Sequence, residues 1–210
     1  MIGGTWKPDV FERLFQDNPD PWDFEKSPYE QKKLARVLAC LPVAPVSFLV
    51  ELGCAIGVST LALSEHCECL LAVDASENAL VIARRRCQGR KHISFLKAFL
   101  PTYYPVAEAS GCDLVVISEL LYFLTPADIT LLADMVMKSL KPDGHILLVN
   151  WTGQTDTPCT GDDAAECFIR ACRERRWIPD LSERGEGYRI DRLSSSENFQ
   201  ENSVSSCEEG

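Results

Sequence analysis

Val50-Glu51-Leu52-Gly53-Cys54-Ala55-Ile56-Gly57 is the stretch that decides the fold. It closes a short continuous apolar run, Ser47–Leu52, and leads into a helical pattern over Gly57–His66. A run of that kind marks a buried parallel strand. Gly53 lets the backbone turn tightly and come close to a ligand, and Gly57 permits close helix packing. A bare G-x-x-x-G is weak, because a strand-to-helix turn with no ligand reads the same way. Two carboxylates strengthen it. Glu51 is expected to face the pocket mouth and orient an amino group or the loop itself, which disfavours a pyrophosphate. Asp74 stands 23 residues further on, at the end of the next strand, placed to accept from ribose hydroxyls or to cap a helix. Together they favour a cationic adenosine ligand over a nicotinamide dinucleotide.

Outward from this turn the pattern alternates. Strands are predicted over Leu70–Val73, Ile93–Lys97, Asp113–Ile117 and His145–Val149, and helices over Glu77–Cys87, Ala127–Leu140 and Asp162–Arg176. Lys141–Gly144 reads as the turn closing the second of these helices. Gly187–Leu193 is a last strand, with a short one over Trp177–Leu181 before it. Upstream, Ser27 caps a helix from Pro28 to about Leu41, with Glu30 as its capping-box partner. Repeated strand-helix units make an α/β fold: a seven-stranded, mostly parallel sheet with helices on both faces. Residues 1–27 have no clean periodicity and form an N-terminal segment and lid, with one short amphipathic turn at Phe11, Leu14 and Phe15. Residues 28–193 are the ligand-binding domain, and 194–210 read as a disordered acidic tail.

Composition narrows the function. The 210 residues suffice for one domain, 46% are hydrophobic, and the net charge is −10, with 31 acidic against 21 basic side chains. An acidic surface makes nucleic acid a poor partner. No apolar run nears the ~20 residues of a membrane span, and no export signal opens the chain, so a cytoplasmic location is expected. The ten cysteines form no C-x-x-C or metal-knuckle spacing and read as reduced thiols, with no metal site.

Glu51-Leu-Gly-Cys-Ala-Ile-Gly57, Asp74, Asp113-Leu-Val-Val-Ile-Ser-Glu119-Leu-Leu-Tyr122 and Leu140-Lys-Pro-Asp-Gly144-His resemble the successive motifs of class I S-adenosylmethionine-dependent methyltransferases, which are Rossmann-like. A closer resemblance is to the nodulation protein S family. It is carried by Asp20-Pro-Trp22 with Ser27-Pro-Tyr-Glu30, by Ser118–Leu124, by Trp151-x-Gly153 with Thr155-Asp156-x-Pro158 and Gly161-Asp162, and by Glu186–Asp191. That family includes N-methyltransferases acting on the deacetylated glucosamine end of chitin oligosaccharides. The resemblance implies S-adenosylmethionine as cofactor and a small-molecule acceptor, an amine of a saccharide first among them. Gly53, Cys54, Ala55 and Gly57 would line the methionine part, Asp74 with Ala75 the ribose, and Phe99 and Leu100 the adenine. Ser118 and Glu119 would form the floor. Lys33 is either a partner of the cofactor carboxylate or an exposed helix lysine. Trp22 and Tyr29 are either pocket or packing residues. Asn150, Trp151 and Asp162 would contact the acceptor. Glu119 and Tyr122 are the catalytic candidates, Glu119 to hold or deprotonate an amine or else to act as a structural carboxylate.

Three positions depart from the family pattern. Phe99 replaces an acidic residue that reads the adenine amino group, and Asn150 and Ala165 stand where relatives often have His. These departures leave open an O-methyltransferase of a secondary metabolite and a cofactor-binding protein without turnover. A nicotinamide-dependent oxidoreductase is disfavoured by Glu51. Oligomeric state is not legible.

Overall fold

The computed structural model describes residues 4–196. Its helices are α1 (Pro8–Asp17), α2 (Pro28–Ala39), α3 (Val58–Leu63), α4 (Glu77–Arg86), α5 (Pro126–Ser139) and α6 (Gly161–Arg173). Its strands are β1 (Val46–Leu52), β2 (Cys67–Asp74), β3 (Ile93–Lys97), β4 (Cys112–Ser118), β5 (Leu140–Trp151), β6 (Trp177–Gly185) and β7 (Tyr188–Ser195). They form one sheet in the order β3-β2-β1-β4-β5-β7-β6. The first five strands are parallel, and β7 runs antiparallel between β5 and β6. This is the expected seven-stranded, mostly parallel sheet of Rossmann-like type. The strand order reverses between β1 and β4, and in such sheets ligands bind outside the carboxyl ends of the strands at that point.

Both faces are covered, which explains the unbroken apolar runs. Ile129 and Leu132 of α5 and Phe168 of α6 join Val50, Val115 and Ile146 on one face. Val37 of α2, Leu63 of α3 and Leu80 of α4 join Leu49, Leu114 and Val116 on the other. Side-chain caps start four helices, at Ser27 and Ser76 as expected and also at Thr125 and Thr160. Ser27, Ser76, Thr125 and Thr160 each accept the N–H three residues on. The expected second half of the capping box at α2 does not form, because the Glu30 carboxylate turns to Lys33 instead.

Several boundaries differ from expectation, three of them by a whole turn or in the kind of element. Residues 8–17 make a ten-residue helix rather than one turn. The overlooked signals were Pro8 at its first position, Asp9 in the first turn and an Asp9–Arg13 pair one turn apart. Lys141–Gly144 is no turn: β5 begins at Leu140, beside Cys112, and a register irregularity absorbs the offset. Ser194 and Ser195, expected in the tail, pair with β5 and β6. Residues 197–210 of that tail lie outside the described residues. Among the described residues no helix is long and apolar enough to cross a membrane.

Gly57 shows why the turn is spelled with glycine. Its φ is +79°, and a Cβ would sit 2.9 Å from the Ala83 Cα and Cβ of α4. Gly57→Ala is expected to lower stability by roughly 2–4 kcal/mol, from left-handed strain plus overpacking. An unchanged melting temperature would show that α4 gives way freely.

Candidate active site

A cavity of about 650 Å3 opens at the switch point. Its floor comes from the turns that follow the strands: Gly53 and Ala55, Asp74 and Ala75, Ala98–Leu100, Ser118–Leu120, and Trp151. Its roof is N-terminal: Trp6, Phe11, Phe15, Trp22, Phe24 and Tyr29. Gln154–Thr157 complete the rim. The N-terminal segment is pinned at both ends of this roof. The Trp6 N–H donates to Phe123 O (3.0 Å), and the Glu12 carboxylate accepts from the Ser76 hydroxyl (2.6 Å) at the start of α4.

The floor is built by backbone hydrogen bonds. The Gly53 and Cys54 N–H groups both donate to Val73 O, which folds the first turn against the end of β2. The Ala55 N–H donates to Asp74 Oδ2 (2.8 Å) and the Ser76 N–H to Oδ1 (2.9 Å). Ala55 and Glu119 are left-handed without being glycine, at φ +45° and +53°. Such strain gathers where the surrounding structure over-determines the backbone. A Cβ on Gly53, whose φ is +85°, would lie 3.1 Å from Ser118 O, so the β1 and β4 turns meet as closely as glycine allows.

Several expected residues sit elsewhere. Glu51 is not at the mouth. It is fully buried, where it accepts from the Thr60 hydroxyl (2.6 Å) and from the Ser59 hydroxyl, so it holds the start of α3. With no cation beside it, burial pushes its carboxyl up to about 7 against the opposing pull of those hydroxyls. Cys54 turns away from the main cavity into a recess of about 60 Å3 behind the loop, and Gly57 only packs on α4. Asn150 is fully buried and lines neither space; both its amide atoms lack partners among the described residues. Asp162 is clamped on the outer side by Arg184 (2.7 Å) and Arg189 (3.1 Å). Buried Arg189 also binds Asp191 and Glu166, tying α6 to β7.

The raised carboxyl of Glu51 has a testable sign. Its folded value exceeds the unfolded one, so the folded state binds the extra proton between about pH 4.5 and 7. The stabilising contribution is present below that window and lost above it. Glu51→Gln is therefore expected to raise the melting temperature at pH 8, by up to roughly 3 kcal/mol of stability, and to change little at pH 4.5. Equal effects at both pH values would mean that the carboxyl titrates normally.

The remaining floor is one connected network. Lys33, 6% exposed, reaches Glu119 Oε1 (2.7 Å) and Glu30 Oε2 (2.9 Å). Burial pulls the Lys33 ammonium down, but the two carboxylates outweigh it and hold it above its usual range. Glu119 Oε2 accepts from the Tyr122 hydroxyl (2.7 Å) and the Trp151 N–H (2.9 Å). Tyr122 is buried, and desolvation with the Glu119 charge raises its phenol well above the ordinary value. Lys33 also lies 5.4 Å from the Tyr29 ring, which meets Trp151 edge-on at 5.7 Å. Lys33 is thus not the exposed helix lysine of one expectation: it is buried, lines the cavity and is held by two protein carboxylates.

Four carboxylates line the cavity, Glu30, Asp74, Glu119 and Asp156, against one cation, Lys33. The sequence reading placed an N-terminal lid with Trp22 and Tyr29 over the site but did not name Trp6, Phe11, Phe15 and Phe24 of the roof, nor Glu30 and Asp156 of the wall. Aromatic residues recurring in an otherwise polar N-terminal segment were the available signal.

Comparison with known proteins places this geometry. Residues 8–166 match the family model for nodulation protein S. Nodulation protein S of Rhizobium tropici is 31% identical over 130 residues, 61% of this chain and 53% of that protein. Its counterpart in Sinorhizobium fredii (strain NBRC 101917 / NGR234) is 28% identical over 130 residues, 61% of this chain and 59% of that protein. The chain thus spans about half the length of the curated relatives it matches. A crystal structure of the N-methyltransferase NodS from Bradyrhizobium japonicum WM9, in complex with S-adenosyl-L-homocysteine, superposes with a TM-score of 0.75 at 25% identity, covering 90% of this chain and 97% of that one.

Proposed function

The chain belongs to the nodulation protein S family, and we propose on that premise that it transfers a methyl group from S-adenosylmethionine to a small-molecule amine, in first place one on a saccharide. The observation that carries this reading is the charge of the cavity, four carboxylates around one already paired lysine. A net negative, ring-lined space suits a cationic donor and a basic acceptor and repels a dinucleotide phosphate.

The cavity fits the cofactor in size and chemistry. About 650 Å3 lies within the ~300–1,000 Å3 of small-molecule sites. Asp74 presents its carboxylate beside the Gly53–Ala55 turn, where it can accept from vicinal ribose hydroxyls while keeping its two backbone donors. Ala98, Phe99 and Leu100 offer an apolar slot for adenine, with Phe99 giving a ring face where relatives give a charge. When bound, the cofactor supplies an electrophilic methyl group on a sulfonium. The protein's share is position: holding donor and acceptor in line contributes roughly 7–11 kcal/mol of barrier lowering in favourable cases.

Glu119 works in this reading as an anchor rather than a base. Three donors already engage it, and taking a proton would break its pair with Lys33. It holds the Tyr122 hydroxyl and the Trp151 backbone in place and leaves lone-pair room for one acceptor N–H. Trp6, Phe11 and Phe123, clustered in tilted and edge-on contacts with centroids 4.9–5.9 Å apart, line the cavity together with the polar residues Gln154–Thr157. Rings together with hydrogen-bonding groups suit a sugar. We place the reaction in the cytosol, where thiols this numerous stay reduced.

Titration calorimetry with S-adenosylmethionine and S-adenosylhomocysteine tests the cofactor, followed by acceptor assays with deacetylated chitin oligosaccharides. Micromolar binding and turnover are expected. Well-folded protein that binds neither compound would end the methyltransferase reading, and turnover of hydroxyl acceptors alone would move it to O-methylation.

A further inference from the structure

We propose that Asp156 is the residue that recognises the acceptor, pairing with its cationic amine at the rim of the cavity; the inference rests on the methyl-transfer reading above. Three of the four carboxylates in the cavity are occupied. Glu30 and Glu119 share the Lys33 ammonium, and Asp74 accepts two backbone N–H groups. Asp156, exposed at the rim and met by solvent, alone has no hydrogen-bond or ion-pair partner among the described residues. Lys33 is the one cation in the cavity wall and is already held by two carboxylates, so no cation of the wall answers Asp156.

The segment carrying Asp156 is held rather than loose. At one end the Thr152 N–H donates to Gly187 O (2.9 Å). At the other the Cys159 N–H donates to Tyr122 O (3.4 Å), and the Thr157 hydroxyl donates to Cys159 O (2.7 Å). These bonds tie the segment to Tyr122 and to the hairpin beside Trp151, both part of the floor network. The Trp6, Phe11 and Phe123 rings line the same cavity. An ammonium near a carboxylate and ring faces is attracted by both, whereas an amide or hydroxyl in the same place meets only a hydrogen-bond acceptor. Asp156 thereby selects an amine over its acetylated or hydroxyl counterpart; the paired ammonium gives its proton to solvent at the open rim, and the neutral nitrogen with its freed lone pair is the form that receives the methyl group.

The test is calorimetric titration of the full chain, saturated with S-adenosylhomocysteine, with glucosamine disaccharide and with its N-acetylated form. It is run on wild type, Asp156→Asn and Asp156→Glu at 50 and 300 mM salt. The amine is expected to bind and the acetylated form to bind far less. Asp156→Asn is expected to weaken amine binding about tenfold and to remove most of its salt dependence, while Asp156→Glu restores much of both. S-Adenosylhomocysteine affinity should be the same in all three proteins. Equal amine affinity in wild type and Asp156→Asn overturns the proposal, as does loaded wild type that binds no amine. Failure of wild type to bind S-adenosylhomocysteine is a separate result, which removes the methyl-transfer reading and this inference with it.

Discussion

Asp74→Ala is expected to weaken S-adenosylhomocysteine binding by at least about a hundredfold, the largest effect anticipated in the cavity. Hydrogen bonds to a charged group are worth roughly 1.5–3 kcal/mol each, and a ribose diol would make two to this carboxylate. The carboxylate also accepts the Ala55 and Ser76 N–H groups, so its loss releases the turn that shapes the methionine end. Asp74→Asn separates the contributions: one amide oxygen still serves the turn, but the charge is gone, and an intermediate affinity is expected. Calorimetry reads the affinity, and circular dichroism with thermal unfolding checks that the variants remain folded. Near-wild-type affinity in Asp74→Ala would mean that the ribose sits elsewhere.

Lys33→Met carries the largest expected cost in stability, about 3–5 kcal/mol. Removing one partner of a buried ion pair strands the other in low dielectric, and here two carboxylates are stranded at once. Glu30 is already raised above its ordinary value by burial, an effect its hydrogen bond and ion pair with Lys33 oppose. Without the ammonium, the folded state must bind protons that the unfolded chain releases above about pH 4.5. Stability of the variant should therefore fall as pH rises and recover toward pH 5, opposite in sign to the acid loss of a normal ion pair. Adding Glu30→Gln to Lys33→Met should restore part of the loss at pH 8. A small, pH-independent change in melting temperature would show the network to be solvated.

What was legible in the sequence follows from how far each signal reaches along the chain. The strands β1 and β4 are buried on both faces over Leu49–Leu52 and Leu114–Ile117, so their middles read as apolar runs, interrupted only by the buried Glu51. The caps at Ser27 and Ser76 bond only three residues away, and Asp74 lies at the end of a strand whose neighbours fix its direction. The site was less legible wherever a side chain's partner is distant. Lys33 meets Glu119 across 86 positions, and Asp162 meets Arg189 across 27. Nothing local distinguishes such a charge from one meant for a ligand. Asn150 and Trp151 are neighbours on one strand, yet strand alternation sends one into the packing beneath α6 and the other to the cavity. The apolar side of α1 is divided between the cavity, lined by Phe11, Leu14 and Phe15, and a small cluster of Phe15 with Ile56 and Ala79, so it packs on no large core.

The position of β7 bears on how the chain is made. Because β7 lies between β5 and β6, the penultimate place in the sheet is filled by the last of the described strands in chain order. Until Tyr188–Ser195 emerge, β5 presents an open edge flanked by Ile146, Leu148 and Val149, and β6 has no neighbour to pair with. An uncovered edge of that kind recruits strands from other chains. Synthesis thus passes through a stage, after residue 176 and before residue 195, in which five parallel strands can be assembled but not closed. A premature stop that removed β7 would leave the β5 edge uncovered for good and expose the chain to aggregation.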